Sequence, residues 1–209
     1  MRDQQRHFLR KLAPAVQAMT ARTGLPAAVV LAQAILESDW GRSELARRHR
    51  NLFGIKAEGR PQASLAAEFI TTEYRGGKRF RTRTRFARYR SYEECVRDYA
   101  RVLAQPRFAP ARAVAGNPAA FARELQRCGY ATDPRYAHKL GILVRRYELT
   151  QYELATGAEA SPDAPQGPAR LPVRQAGRQA RPKPSCLPAA GAAGPDPIDS
   201  RAFVAPEAT

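Results

Sequence analysis

Glu37 stands at the end of an oily run, LPAAVVLAQAILESDWG, that spans Leu25 to Gly41. Leu25, Val29, Ala32 and Leu36 recur at helical spacing, and Ala28, Val30 and Ile35 widen the apolar surface almost all the way round. That pattern predicts a helix buried in a core. Burial and the partial negative charge of a helix C-terminus both disfavour a carboxylate there, so they push a carboxyl toward its protonated form. A protonated Glu beside an aromatic such as Trp40 is what a general acid for glycosidic cleavage requires. A plainer reading is also open: Glu37 sits at the solvent edge of the helix and caps it.

The elements that must hold this residue can be read on either side of it. Phe8, Leu12, Val16 and Met19 predict a helix from Asp3 to about Arg22, with Pro14 either kinking it or starting a second one. Thr23-Gly24 closes that segment, and Pro26 suits the first turn of the oily helix. Ser43 can cap a short helix to about His49. Asn51 to Lys56 reads as an extended turn anchored by Leu52, Phe53 and Ile55, in which Gly54 permits an angle that other residues resist. Glu68 to Tyr74 and Arg79 to Phe86, joined by Arg75-Gly76-Gly77-Lys78, predict a β-hairpin. Its second strand, RFRTRTRF, carries a row of arginines that reads as a solvated edge or as a basic wall beside a groove.

Ser91 with Glu94 forms a capping-box signal for a helix to about Ala104, with Val96, Tyr99, Ala100 and Leu103 inward. Pro106 and Pro110 flank a connector. Asn117-Pro118 opens a helix to Cys128 that Gly129 stops. Asp133-Pro134 opens a last helix to about Tyr152, with Tyr136, Leu140, Leu143, Val144 and Tyr147 inward. From about Thr156 prolines accumulate among Ala, Gly, Arg and Gln, a composition that cannot bury enough apolar surface to fold alone. The expected organisation is an α+β domain over residues 1–154, mostly helical with a small hairpin lobe and a cleft, and a Pro/Ala-rich disordered tail over 155–209.

Composition narrows the function. Of the 209 residues, 35 are Lys or Arg and 19 Asp or Glu, a formal net charge of +16, which favours an anionic partner. No nucleic-acid motif accompanies the charge, so a cell wall or other anionic surface fits better than specific nucleic-acid binding. No run approaches a membrane span, and the polar N-terminus MRDQQRHFLRKL has no signal-peptide pattern. Cys95, Cys128 and Cys186 lie far apart without a CxxC pair or a Cys/His cluster. Neither zinc nor a disulfide framework is indicated, and no cofactor is expected.

Five stretches occur in order: LAQAILESDWG, NLFGIKA, ITTEY, FARYRSYEECVRDYA and GYATDPRYAHKL. Together, over roughly Arg10 to Tyr147, the chain resembles the glucosaminidase domain of family 73 glycoside hydrolases. The resemblance implies a lysozyme-like fold and cleavage of the N-acetylglucosaminyl–β-1,4–N-acetylmuramyl bond of peptidoglycan. It places Glu37 on the family's catalytic acid, Glu73 on the acidic residue of the β lobe and Tyr130 on the active-site tyrosine. Trp40, Asn51, Phe53 and Tyr136 match motif positions that form groove wall or scaffold. Peptidoglycan glycan strands are the implied partner, together with components of the flagellar rod or another envelope machine. The implied place of action is the periplasm or cell wall, reached without a classical signal peptide. Rival readings are a muramidase or lytic transglycosylase, including a phage lysis enzyme, and a wall-binding module without activity.

Glu68 and Asp39 compete with Glu73 for the second carboxylate. Glu68 is an odd number of residues from Glu73 and so faces the other side of the strand. Asp39 is too close to Glu37 in sequence to lie across a sugar from it.

Overall fold

A computed structural model describes residues 1–58, 66–75 and 78–154, with backbone alone for 70–75 and 78–82. Seven α-helices and one hairpin appear among the described residues: α1 (Asp3–Thr23), α2 (Ala27–Ser38), α3 (Glu44–His49), β1 (Ala67–Arg75), β2 (Lys78–Phe86), α4 (Tyr92–Ala104), α5 (Ala109–Ala113), α6 (Pro118–Arg127) and α7 (Tyr136–Arg146). The expected tail and Cys186 lie outside the described residues.

Helix α2 is the core. Ten of its twelve residues are buried, and α1, α6, α7 and a 3₁₀ turn at Leu149–Tyr152 pack around it. Burial on every side, at about 25 cal/mol per Å² of apolar area, makes its packing a stabilising contribution. Its N-terminus has no side-chain cap of its own, because Pro26 holds the N-cap position. The Glu153 carboxylate fills that role from the far end of the described residues, accepting from Ala27 N at 3.0 Å and Ala28 N at 2.9 Å. A negative charge there also complements the helix dipole.

The cap signals at Ser43, Ser91 and Asn117 operate, whereas α7 has no side-chain cap, its N-cap being Arg135 and not Asp133. Ser43 Oγ accepts from Ala46 N, Ser91 Oγ from Glu94 N, and Asn117 Oδ1 from Ala120 N. Glu94 reaches back one residue beyond the usual partner, to Arg90 N at 2.7 Å. Three other expectations change. Pro14 lies inside one continuous α1 and starts no second helix. The connector after Ala104 coils into a 3₁₀ turn at Pro106–Phe108 and then α5, since each proline falls in a first turn where its missing N–H is harmless. The last helix stops at Arg146. Glu148 takes the left-handed conformation (φ 51°), which breaks the α-helix, and the chain resumes as the 3₁₀ turn that carries Glu153 to α2.

The hairpin is antiparallel, with Ala67 opposite Phe86, Glu73 opposite Phe80 and Arg75 opposite Lys78. Its base is tied to the body. Phe86 is buried against Phe69, with ring centres 5.9 Å apart, and Phe69 meets His49 of α3 edge-on at 5.8 Å. Ala57 N donates to Arg85 O and Ala87 N to Ile55 O. Alternation puts Glu73 in the same register class as Ala67 and Phe69, and Glu68 in the other. Glu68 is exposed and pairs with Arg83 at 3.6 Å.

Candidate active site

The sequence ESDWG makes a tight left-handed exit from α2. Asp39, Trp40 and Gly41 have φ of 50°, 59° and 74° in succession. For the bulky Trp40 such an angle is a true outlier. Three contacts hold it. Ser38 Oγ donates to Ala34 O (2.5 Å) and accepts from Gly41 N (2.8 Å), and Trp40 N donates to Ile35 O. A Cβ at Gly41 would lie 2.9 Å from the Phe8 ring, so position 41 excludes side chains on two grounds. The half-buried Trp40 packs edge-on against Tyr147 (4.6 Å) and Phe8 (6.0 Å). Asp39 is the C-cap residue of α2 and is exposed, with Arg42 at 2.6 Å, so it serves the turn locally.

This exit leaves Glu37 half-buried on the last turn of α2. Tyr136, at the start of α7, is completely buried and donates its hydroxyl to Glu37 Oε1 at 2.9 Å. Asp133 lies just ahead of that helix, whose N-cap residue is Arg135 without a side-chain cap. Asp133 Oδ1 accepts from Arg135 N while Oδ2 meets Lys139 Nζ at 2.5 Å. Behind Tyr136, Gln33 Nε2 donates to Tyr136 Oη at 3.0 Å, and Tyr99 Oη of α4 donates to Gln33 Oε1. A buried line of hydrogen bonds therefore runs Tyr99, Gln33, Tyr136, Glu37. Gln33 and Glu37 are one helical turn apart on α2, so one helix places both.

Tyr130 stacks on Tyr136 with ring centres 5.7 Å apart and meets Tyr99 and Phe108 at 6.3 and 6.0 Å. Its hydroxyl is buried and has no hydrogen-bond partner among the described residues. An orphaned buried hydroxyl costs roughly 1–3 kcal/mol, a strain that native folds keep mainly at functional sites. Burial, and after it neighbouring charges including that of Glu37, raises the pKa of Tyr99, Tyr130 and Tyr136 well above the ordinary phenol range, so all three keep their protons.

The residues expected at the site divide clearly. Glu37, Tyr130 and Tyr136 come together. Trp40 is part of the turn beside them. Asn51 and Phe53 are sealed from solvent. Asn51 Nδ2 donates to Ile55 O and Ala87 O, and its Oδ1 accepts from Ile55 N, which fastens the NLFGI turn to the strand exit. Phe53 stacks on Tyr99 at 4.1 Å. Neither can reach a substrate in this arrangement, so the expected groove contact is not available to them. Glu73 lies on β1, but its side chain is outside the described positions. Cys95 and Cys128 are buried and not bridged, and burial raises the pKa of the Cys95 thiol, which keeps it inert. Gln33, Tyr99 and Glu153 are additions that motif reading passed over. Gln33 did leave a signal, as the lone amide in an otherwise apolar run one turn before Glu37. Among the described residues, no group of three or more His, Cys, Asp or Glu could hold a metal ion, and no helix is long and apolar enough to cross a membrane.

This geometry has relatives. Residues 13–149 match the family model described as glucosaminidase, mannosyl-glycoprotein endo-beta-N-acetylglucosaminidase. Peptidoglycan hydrolase FlgJ of Pseudomonas aeruginosa is 38% identical over 155 residues, covering 72% of this chain and 38% of the relative. Exo-glucosaminidase LytG of Bacillus subtilis is 35% identical over 157 residues, covering 72% of this chain and 54% of the relative. The chain thus spans only about two fifths to half the length of these curated relatives. The catalytic domain of the autolysin Auto from Listeria monocytogenes superposes with a TM-score of 0.63 at 32% identity, covering 73% of this chain and 89% of that one. The chain belongs to the glucosaminidase family of glycoside hydrolases, and its fold is lysozyme-like.

Proposed function

We propose that this chain hydrolyses peptidoglycan between N-acetylglucosamine and N-acetylmuramic acid, as an endo-β-N-acetylglucosaminidase with Glu37 as general acid. The observation that carries the reading is Glu37 itself, half-buried at the end of the most buried helix, with one oxygen held by the wholly buried Tyr136. A carboxyl fixed in this way can protonate the leaving glycosidic oxygen without first ordering its own side chain. Tyr130 presents a buried hydroxyl with unused hydrogen-bonding capacity beside it. Glu73, on the hairpin, supplies the second carboxylate, which delivers water or stabilises positive charge on the opposite side of the sugar. The hairpin is a lid that closes over a bound glycan.

Peptidoglycan as substrate is carried over from a relative's name, peptidoglycan hydrolase FlgJ. The periplasm or cell wall as the place of action follows from that substrate, and partners in a flagellar rod or another envelope machine rest on the family resemblance alone. Residues 1–154 are the catalytic unit, and 155–209 are an appendage to it.

The test is a digest of purified peptidoglycan, reduced with borohydride and read by mass spectrometry. Reduced N-acetylglucosamine ends that vanish in Glu37→Gln are expected. Reduced muramic acid ends would make the chain a muramidase, and anhydro-muramyl ends a transglycosylase. Release of single sugars in place of internal fragments would make it an exo-enzyme, the activity named for LytG.

A further inference from the structure

We infer that Gln33 and Tyr99 are positioning residues for this chemistry: Tyr99 fixes which way the Gln33 amide faces, and the amide in turn makes the Tyr136 hydroxyl a donor to Glu37 Oε1. The inference rests on Glu37 acting as the acid.

The direction of the hydrogen-bond line follows from its buried end. Tyr99 is fully buried on α4 between Phe53 and Tyr130, and the acceptor for its proton is Gln33 Oε1. A carboxamide has one accepting end and one donating end, so satisfying Tyr99 turns Nε2 toward Tyr136, 3.0 Å away. With Gln33 donating to it, the Tyr136 oxygen sends its own proton on to Glu37 Oε1 at 2.9 Å. Turning the amide over would set the Gln33 oxygen against Tyr136, draw the Tyr136 proton away from Glu37, and strand the Tyr99 proton in a fully buried site. Burial also keeps both phenols protonated, so each has a proton to give.

The consequence for catalysis is specific. Oε1 is committed as an acceptor, so the proton handed to the leaving oxygen rides on Oε2. When it leaves, the Tyr136 hydrogen bond becomes charge-assisted and strengthens. That gain arises only as the bond breaks, so it lowers the barrier rather than improving binding. Gln33 and Tyr99 are both fully buried and cannot touch a sugar.

The experiment compares Gln33→Met, Tyr99→Phe, Tyr136→Phe and the doubles Gln33→Met/Tyr136→Phe and Tyr99→Phe/Tyr136→Phe, with Glu37→Gln alongside, on soluble peptidoglycan fragments. Expected for Gln33→Met is a loss in kcat of about 10- to 100-fold, the range seen for groups that orient metal ligands, with KM within about twofold. Tyr99→Phe retains the ring and should lose roughly 5- to 20-fold, also in kcat. Each double should be no worse than Tyr136→Phe alone, because all three act through one oxygen. Unchanged kcat in folded Tyr99→Phe, or losses that multiply in the doubles, would overturn the inference. Tyr99→Phe decides the matter even if Gln33→Met does not fold. A fully active Glu37→Gln would instead bring down the reading of Glu37 as the acid.

Discussion

The two carboxylates proposed to flank the scissile bond live in different mechanical surroundings. Glu37 ends a helix packed on all sides, and its Oε1 is the last station of a buried hydrogen-bond line. Glu73 sits toward the turn end of a two-stranded ribbon whose described ties to the body are at its base, through Phe69, Phe86 and the Ala57 and Ala87 backbone bonds. A two-stranded hairpin is at best marginally stable alone. The contrast teaches a division of labour. The residue that must hold a proton at a fixed point is built into the core, and the one that must admit a polymer first and act afterwards is carried on an arm.

The sharpest way to break that contrast is to remove both carboxylates in turn. Glu37→Gln should lower turnover by about 10²- to 10⁴-fold, the usual worth of a general acid, with the melting temperature little changed. Glu73→Gln should cost less, roughly 10- to 10²-fold. A loss below about threefold would assign its role to the substrate's own N-acetyl group. Next in size, a crosslink from hairpin to α3 should cut turnover on glycan strands more than on short fragments. Full activity on both would remove the lid.

The core side of the contrast has its own pH signature. The pKa values of Tyr99, Tyr130 and Tyr136 are raised on folding above the unfolded value of 10.0. Groups shifted in that direction contribute stability that is complete below about pH 10 and is lost as pH rises further, when the unfolded chain alone can ionise. Melting temperature measured from pH 7 to 11 should stay level and then fall, less steeply in Tyr136→Phe. Smallest of all, Glu153→Gln keeps an acceptor but removes the charge from the N-terminus of α2, and should cost about 0.3–1 kcal/mol in denaturant unfolding.

Much of this was readable before any coordinates. The oily helix, the hairpin and the caps at Ser43, Ser91 and Asn117 all rest on interactions within a few residues, which local spacing records. Gly54 was legible for the same reason, and its φ is 63°. The line from Tyr99 to Glu37 was not, because Gln33, Tyr99 and Tyr136 come from three helices and only packing brings them together. The same holds for Asn51. Its motif position drew it toward the groove, yet its amide donates to Ile55 O nearby and to Ala87 O, 36 residues along the chain. Burial, not spacing, separated scaffold from site.

The Glu153 cap carries a consequence in time. A ribosome makes residues 27 and 28 long before residue 153, and at about 5–20 residues per second the gap is on the order of 6–25 s. Throughout that interval α2 lacks the carboxylate that closes its first turn, and Tyr136 reaches Glu37 only near the end of it. The helix bearing the proposed acid is thus completed by nearly the last of the described residues. A nascent chain has an uncapped α2 until residue 153 is made.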